Sequence, residues 1–219
     1  MAMQTAEYRD VRHLMQPGDI LAFGGKGNFS ELIKWSTRSV VSHIGIVLQS
    51  KLLIGDDPQD GFFNQVIEST SLNGFSGVQI NRISDRVDMY DGEIWWLPLG
   101  KAARERLDPR AFYAFLLHQE RKEYDLPQAF ASALDAIDHT AFGGLTHNDE
   151  DFSRFFCSEL AAAGLEAGGA IEAINASEVT PIDLCKFSLY QFDYYQLKGS
   201  ETRIRGYNSL SPEGWGMLD

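Results

Sequence analysis

The residues best suited to chemistry are one cysteine and one histidine that lie far apart in the chain. His43 lies in a β-branched run, residues 42–48, that predicts a strand, and Cys157 lies near the start of a helix predicted over residues 154–168. The positive end of a helix dipole lowers the pKa of a thiol in its first turn, and a nearby imidazole can accept the thiol proton. This combination predicts nucleophilic catalysis by a cysteine–histidine pair.

A third group is needed to orient the imidazole, and Glu68 is the candidate. It lies in the next predicted strand, residues 65–70, and shares a face with His43 if the two strands pair in register. The residue types alone leave a second interpretation open. A cysteine before an apolar helix is often a small buried hydrophobe, and a histidine in a strand is often structural.

The elements that must position these residues follow from periodicity and turn signals. Strands are predicted first and helices later, which favours an α+β fold with an antiparallel sheet packed against helices. We expect a single domain over residues 1–219, with a core over about 16–200 and peripheral segments at 1–15 and 198–219. The predicted strands are 20–23, 42–48, 65–70, 77–83, 92–99 and 191–197. The predicted helices begin near 28–30, 109, 127 and 154, and a loop is predicted over 139–151.

Composition excludes several classes of protein. The chain has 19 Lys+Arg against 31 Asp+Glu, a net charge of −12, which argues against generic nucleic-acid binding and against docking on anionic membranes. No apolar run is long enough to predict a membrane span, and the N-terminus lacks the apolar region of a secretory signal. Two cysteines exclude a disulfide framework. We therefore expect a cytoplasmic protein as synthesised, with signal-free export still possible.

A set of short motifs in a fixed order resembles a known family. In chain order they are Pro17-Gly18-Asp19-Ile20, the glycine-rich loop with Phe29-Ser30, Ser42-His43-Ile44-Gly45-Ile46-Val47, Val66-Ile67-Glu68-Ser69, Tyr124-Asp125, Phe156-Cys157-Ser158-Glu159-Leu160 and Thr180-Pro181. Together they resemble the circularly permuted NlpC/P60 cysteine hydrolases of the YiiX/YebB-like branch. The resemblance covers roughly residues 16–185, and His43 precedes Cys157 as in that branch.

The resemblance implies a permuted papain-like fold and specific roles. Cys157 would be the nucleophile, His43 the general base and then the acid, and Glu68 the group that fixes the histidine tautomer. Tyr124 matches a tyrosine that helps to hold the oxyanion, although Lys122-Glu123 stand where a glycine and a proline are common. The backbone N–H of Cys157 is another oxyanion donor.

Two serines and a glycine-rich loop are weaker candidates. Ser42 could line the pocket, whereas Ser158 matches the family motif but is better explained by helix capping. The loop over residues 24–28 lacks the ending of a phosphate-binding loop, so we expect a mobile loop beside the cleft. Of Trp95 and Trp96, strand alternation places one in the core and one outside.

The expected function is a thiol hydrolase that acts on an amide or ester through an acyl-enzyme, without cofactor or metal. Its substrate would be a peptide, a peptidoglycan fragment or an acyl lipid, and an exported toxin would add an immunity or inhibitor partner. Alternatives are an acyl-lipid hydrolase or acyltransferase, and a non-catalytic binding module. A metal-dependent hydrolase would require the acidic loop 139–151 to meet His43. Cys185 is expected to be buried and inert.

Overall fold

The computed structural model describes residues 2–26, 39–52, 62–122 and 155–217. The strands are β1 (Ala2–Thr5), β2 (Ile20–Gly25), β3 (His43–Leu52), β4 (Phe62–Leu72), β5 (Phe75–Arg82), β6 (Gly92–Leu97) and β7 (Asp193–Lys198). The α-helices are α1 (Tyr8–Val11), α2 (Ile83–Met89), α3 (Lys101–Arg106), α4 (Pro109–Gln119), α5 (Phe155–Ala167) and α6 (Pro181–Lys186), with short 3₁₀ turns at Arg12–Leu14 and Ala176–Glu178. The protein has an α+β fold.

The described strands form a seven-stranded mixed sheet in the order β1-β7-β6-β2-β3-β4-β5. β1 pairs parallel with β7, and the remaining neighbours pair antiparallel. The prediction of a purely antiparallel sheet is therefore wrong at this edge. The N-terminal residues were expected to be peripheral, and their four-residue strand is too short to show an alternation that would predict it.

A two-residue turn joins β4 to β5 and sets the register of the strand that carries Glu68. Asn73 and Gly74 have φ values of 54° and 77°, the left-handed values that a type I′ hairpin turn requires at both positions. Asn and Gly tolerate this conformation better than other residues. The register that follows places Glu68 opposite Gln79.

Apolar residues cover both faces of the sheet. One cluster combines Ile20, Ala22 and Trp95 with residues of α4, α5 and α6, and the other combines Leu21, Phe23 and Trp96 with Val11 of α1 and Ile83 of α2. Both tryptophans are therefore buried, which corrects the expectation that one lies outside. Their side chains do alternate between the faces, but α1 and α2 shield the second face from solvent.

The segment after β7 also contributes to the core. Ile204 and Tyr207 are buried in the first cluster, and the Tyr207 ring stacks on Tyr190 at a centroid distance of 5.6 Å. The Tyr194 hydroxyl oxygen accepts a hydrogen bond from the N–H of Ile204 at 2.9 Å. The expectation that residues 198–219 are peripheral is wrong for this part, because aromatic packing holds the segment against β7.

Buried Asp19 fixes the beginning of β2. Its carboxylate accepts hydrogen bonds of 2.9 Å from the N–H of Gln16, the N–H of Leu99 and the indole of Trp96, and it pairs with Arg104. Four donors on one carboxylate tie β2 to β6 and α3. Asp19 therefore has a structural role.

The helix that carries Cys157 begins and ends within a residue of its predicted bounds. Thr180-Pro181 begins α6, where Thr180 and Asp183 form a capping box. Gly24 and Gly25, predicted as loop, belong to β2. The helices predicted to begin near 28–30 and 127 and the loop predicted over 139–151 lie outside the described residues. Within the ranges that are described, no helix is both long and apolar enough to cross a membrane.

Candidate active site

The pairing of β3 with β4 brings His43 and Glu68 together. Ile46 lies opposite Ile67, and the same register continued by one residue sets Gly45 opposite Glu68. His43 and Glu68 therefore share a face of the sheet, because side chains two residues apart point the same way. His43 Nε2 lies 2.7 Å from Glu68 Oε2, and both side chains are buried.

Helix α5 places Cys157 against the backbone of β3. The Sγ atom of Cys157 accepts a hydrogen bond from the N–H of Ile44 at 3.3 Å. That amide belongs to the peptide that follows His43, so the sulfur lies beside the histidine backbone. Since Nε2 bonds Glu68, Nδ1 is the ring nitrogen that can exchange a proton with a thiol, and it is also the nitrogen closer to the backbone.

Two residues that the sequence did not indicate complete the surroundings of Glu68. Arg86 of α2 makes an ion pair with the carboxylate, with Nε 2.7 Å from Oε1 and Nη2 3.2 Å from Oε2. Asn81 of β5 donates from Nδ2 to Oε1 at 3.0 Å. Ile83 and Arg86 are one helical turn apart and are the buried residues of α2, a burial that only the structure shows.

The charges around Glu68 keep it ionised. Burial by itself raises the pKa of a carboxyl group, but the charge of Arg86 and the hydrogen bonds from His43 and Asn81 outweigh it and lower the pKa of Glu68 from 4.5 to about 2. Glu68 is thus a carboxylate across the physiological range. An ionised partner at Nε2 holds the proton of a neutral imidazole on Nε2 and supports the charged imidazolium.

Aromatic rings pack beside His43 and Arg86. The ring centroids of Phe23 and His43 are 5.2 Å apart, and the Arg86 Cζ atom lies 5.1 Å from the centre of the Phe23 ring. Tyr90 adds a second ring, 5.3 Å from Arg86 Cζ. Gly45 lies against the same side, where a Cβ atom would be 2.4 Å from Val66 Cγ2 and 3.6 Å from the Phe23 ring.

The other predicted site residues have different surroundings. The Ser42 hydroxyl bridges two parts of β2, accepting from the N–H of Gly25 at 3.2 Å and donating to the carbonyl of Phe23 at 3.3 Å. The Ser158 hydroxyl donates to the carbonyl of Val179 at 2.5 Å and so anchors α5. Both serines are buried and make structural bonds. Tyr124 lies outside the described residues.

A cavity of about 500 Å³ lies beside the carboxylate network. Arg86 and Asn81 form part of its wall, and Thr70, Ser71 and Asn73 of the β4–β5 hairpin add polar groups. The cavity therefore borders the side of the network that lies away from His43.

Cys185 lies in the same apolar cluster as Cys157 and is likewise buried. Burial raises the pKa of the Cys185 thiol far above the usual range. Over the ranges of chain described above, no group of three or more His, Cys, Asp or Glu side chains could hold a metal ion. The acidic loop 139–151 lies outside those ranges.

Comparison with known proteins gives a distant structural likeness. No family model matches the chain, and no curated protein matches it. Among solved structures, the chain is similar to the metalloprotein YiiX of Escherichia coli O157:H7, described as DUF1105, at 16% identity and a TM-score of 0.42. The match covers 70% of this chain and 66% of that one, just under two thirds of its length.

Proposed function

We propose that the protein is a cysteine hydrolase that cleaves an amide or ester through a thioester on Cys157, on a permuted papain-like fold. The supporting observation is the joint placement of three groups. The Cys157 sulfur lies 3.3 Å from the amide that follows His43, and His43 Nε2 lies 2.7 Å from the buried carboxylate of Glu68. A nucleophile, a base and a group that orients the base are the parts that acyl transfer needs.

The proposed reaction has two halves, the formation of a thioester on Cys157 and the hydrolysis of that thioester. His43 Nδ1 accepts the proton of the Cys157 thiol, and the thiolate attacks the substrate carbonyl carbon. The imidazolium then returns the proton to the leaving amine or alcohol as the carbonyl–heteroatom bond breaks. In the second half, His43 takes a proton from water, and the resulting attack on the thioester releases the carboxylic acid and the thiol.

Backbone amides stabilise the two anions of the proposed reaction, the thiolate and the oxyanion. The N–H of Ile44 donates to the sulfur, and a hydrogen bond to the charged form favours a thiolate. The N–H of Cys157, in the first turn of α5, is proposed as one oxyanion donor, and Tyr124 as another.

The chemistry sets a class of substrate, not one compound. A peptide, a peptidoglycan fragment or an acyl lipid offers a carbonyl that this reaction can attack. An acceptor other than water would make the same site an acyltransferase. A cytoplasmic location as synthesised, and an inhibitor or immunity partner for an exported form, are parts of the same proposal.

An activated ester tests the proposal without knowledge of the natural substrate. With p-nitrophenyl acetate, we expect intact-protein mass spectrometry to show one acetyl group on Cys157 and release of p-nitrophenol. Cys157→Ala should lose the adduct and slow turnover by about 10³-fold or more, because the nucleophile is absent.

Cys185→Ala is the matched control, since it also removes a buried thiol, and it should keep both adduct and turnover. Equal turnover by Cys157→Ala and the unmodified protein would contradict the proposal.

A second candidate, a non-catalytic binding module, is favoured by one observation. Cys157 is only 1% exposed, as expected for a thiol that serves as a small hydrophobe in the core. This candidate predicts that neither cysteine is acylated and that any ligand binds equally well to Cys157→Ala.

A further inference from the structure

Arg86 is a buried arginine that reaches the carboxylate from the far side of His43. The residue is 7% exposed, and it makes two contacts with Glu68, Nε to Oε1 at 2.7 Å and Nη2 to Oε2 at 3.2 Å. The guanidinium also lies over the rings of Phe23 and Tyr90. Because the guanidinium packs against two rings and contacts both carboxylate oxygens, it fixes the orientation of the carboxylate and keeps it charged.

One oxygen of the Glu68 carboxylate contacts both His43 and Arg86. Oε2 lies 2.7 Å from His43 Nε2 and 3.2 Å from Arg86 Nη2. An arginine stays protonated at every relevant pH, so Glu68 faces one permanent positive charge before His43 gains a proton. A carboxylate whose charge is already partly balanced holds an imidazolium less strongly than an unshared carboxylate does.

We propose that Arg86 is a positioning residue that acts on His43 through Glu68. It keeps the carboxylate ionised and aimed at Nε2, and it weakens the hold of that carboxylate on the protonated ring. His43 can then take a proton from Cys157 and still release it to a leaving group. The last step rests on the proposed function, but the coupling between Arg86 and His43 does not.

Besides the Phe23 ring of β2, the titratable and charged groups around His43 come from β4, α5 and the α2 segment. Glu68 contacts it from β4, Cys157 lies beside its backbone from α5, and Arg86 and Tyr90 meet it across the shared Phe23 ring from α2 and the residue after it. Of these, Arg86 carries the permanent positive charge. Its removal should therefore change the proton affinity of His43 more than an equal charge change elsewhere.

The test is an NMR titration of the imidazole of His43, identified by the signal that His43→Ala lacks. In Arg86→Gln, we expect the titration midpoint of His43 to rise by about one pH unit or more, the size expected for loss of a charge at this range. Arg106→Gln is the matched control. It removes the same charge from a side chain that bonds the carbonyl of Ala170, and it should leave the midpoint unchanged.

Arg86→Lys keeps the charge and covers the case in which Arg86→Gln does not fold. Its midpoint should stay within a few tenths of a unit of the unmodified protein. A folded Arg86→Gln with an unchanged midpoint, or Arg86→Lys with a rise as large as one unit, would overturn the proposal. Acylation of Cys157 is measured separately, so a shifted midpoint without acylation would reject the hydrolase and keep the coupling.

Discussion

Glu68 connects the strand that carries the histidine to the helix that carries the arginine. Each of its two carboxylate oxygens has two polar contacts, with His43 and Arg86 at Oε2 and with Asn81 and Arg86 at Oε1. A buried charge with this many partners stabilises the fold only while all of them remain, because removal of one leaves another charge buried without compensation.

The ionisation of Glu68 predicts how stability depends on acid. Its pKa falls from 4.5 to about 2 on folding, so its contribution is fully present above pH 4.5 and is lost as the pH falls towards 2. A shift of this size corresponds to roughly 3 kcal/mol. Urea unfolding at a series of pH values should show the free energy of unfolding decrease by about this amount over that range.

The double variant Glu68→Gln/Arg86→Met is the control, since it removes both charges together. Its free energy of unfolding should depend less on pH over the same range. Glu68→Gln alone should lose about 3–5 kcal/mol at neutral pH, because Arg86 stays buried without its partner. Parallel acid curves for the unmodified protein and the double variant would contradict this assignment.

Residue types predicted one half of this network and not the other. Cys157, His43 and Glu68 could be selected because helix start, strand and alternation each limit where a side chain can point. Arg86 and Asn81 could not, because the segment after β5 is polar and short and looks like a loop by composition. Only the tertiary contact of α2 with β4 shows that an arginine there is buried.

At the scale of elements, the close approach of β3 and β4 positions the pair. Gly45 lies between His43 and Val47 on β3, and a Cβ there would lie 2.4 Å from Val66 Cγ2 and 3.5 Å from Glu68 Cβ. A larger residue must therefore displace the Val66 side chain or move β4 away from β3. The glycine keeps Glu68 within reach of His43.

Gly45→Ala should separate the two strands and weaken the contact between His43 and Glu68. We expect the free energy of unfolding to fall by about 1–3 kcal/mol, as for other overpacked positions, and alkylation of Cys157 to slow. Urea unfolding and mass-spectrometric labelling would measure the two effects.

Gly214→Asn is the control, because this glycine, in the segment after β7, has open space around it and a left-handed φ of 66° that asparagine adopts more readily than most residues. It should lower the free energy of unfolding by no more than about 1 kcal/mol and leave the alkylation of Cys157 unchanged. If Cys157 is alkylated as fast in Gly45→Ala as in Gly214→Asn, the close approach of the two strands does not position the pair.

The elements that could be predicted are those with strong local signals. β2 to β7 follow from apolar runs and turn residues, and α5 follows from its apolar length and the glycines after it. β1 could not be predicted, because it has four residues and depends on a partner near the other end of the chain. α6 had a signal, a threonine before a proline with an aspartate two residues later, but it also fits a turn.

At the scale of the molecule, the site lies where three layers meet. α5 packs on one face of the sheet and supplies Cys157, whereas α2 packs on the other face and supplies Arg86. His43 lies between them on β3. Alternation in β6 could assign Trp95 and Trp96 to opposite faces, but it could not show that short helices cover the second face.

The pairing of Cys157 with His43 is tested most directly by the pH dependence of Cys157 alkylation with iodoacetamide, in the unmodified protein and in His43→Ala. Cys185 is an internal control within the same chain, since it is as buried as Cys157 and the pKa of its thiol is raised. We expect Cys157 to react as a thiolate well below the roughly pH 8.5 of an ordinary thiol, and His43→Ala to remove this reactivity. An ordinary thiol profile for Cys157 in both proteins would contradict the pairing.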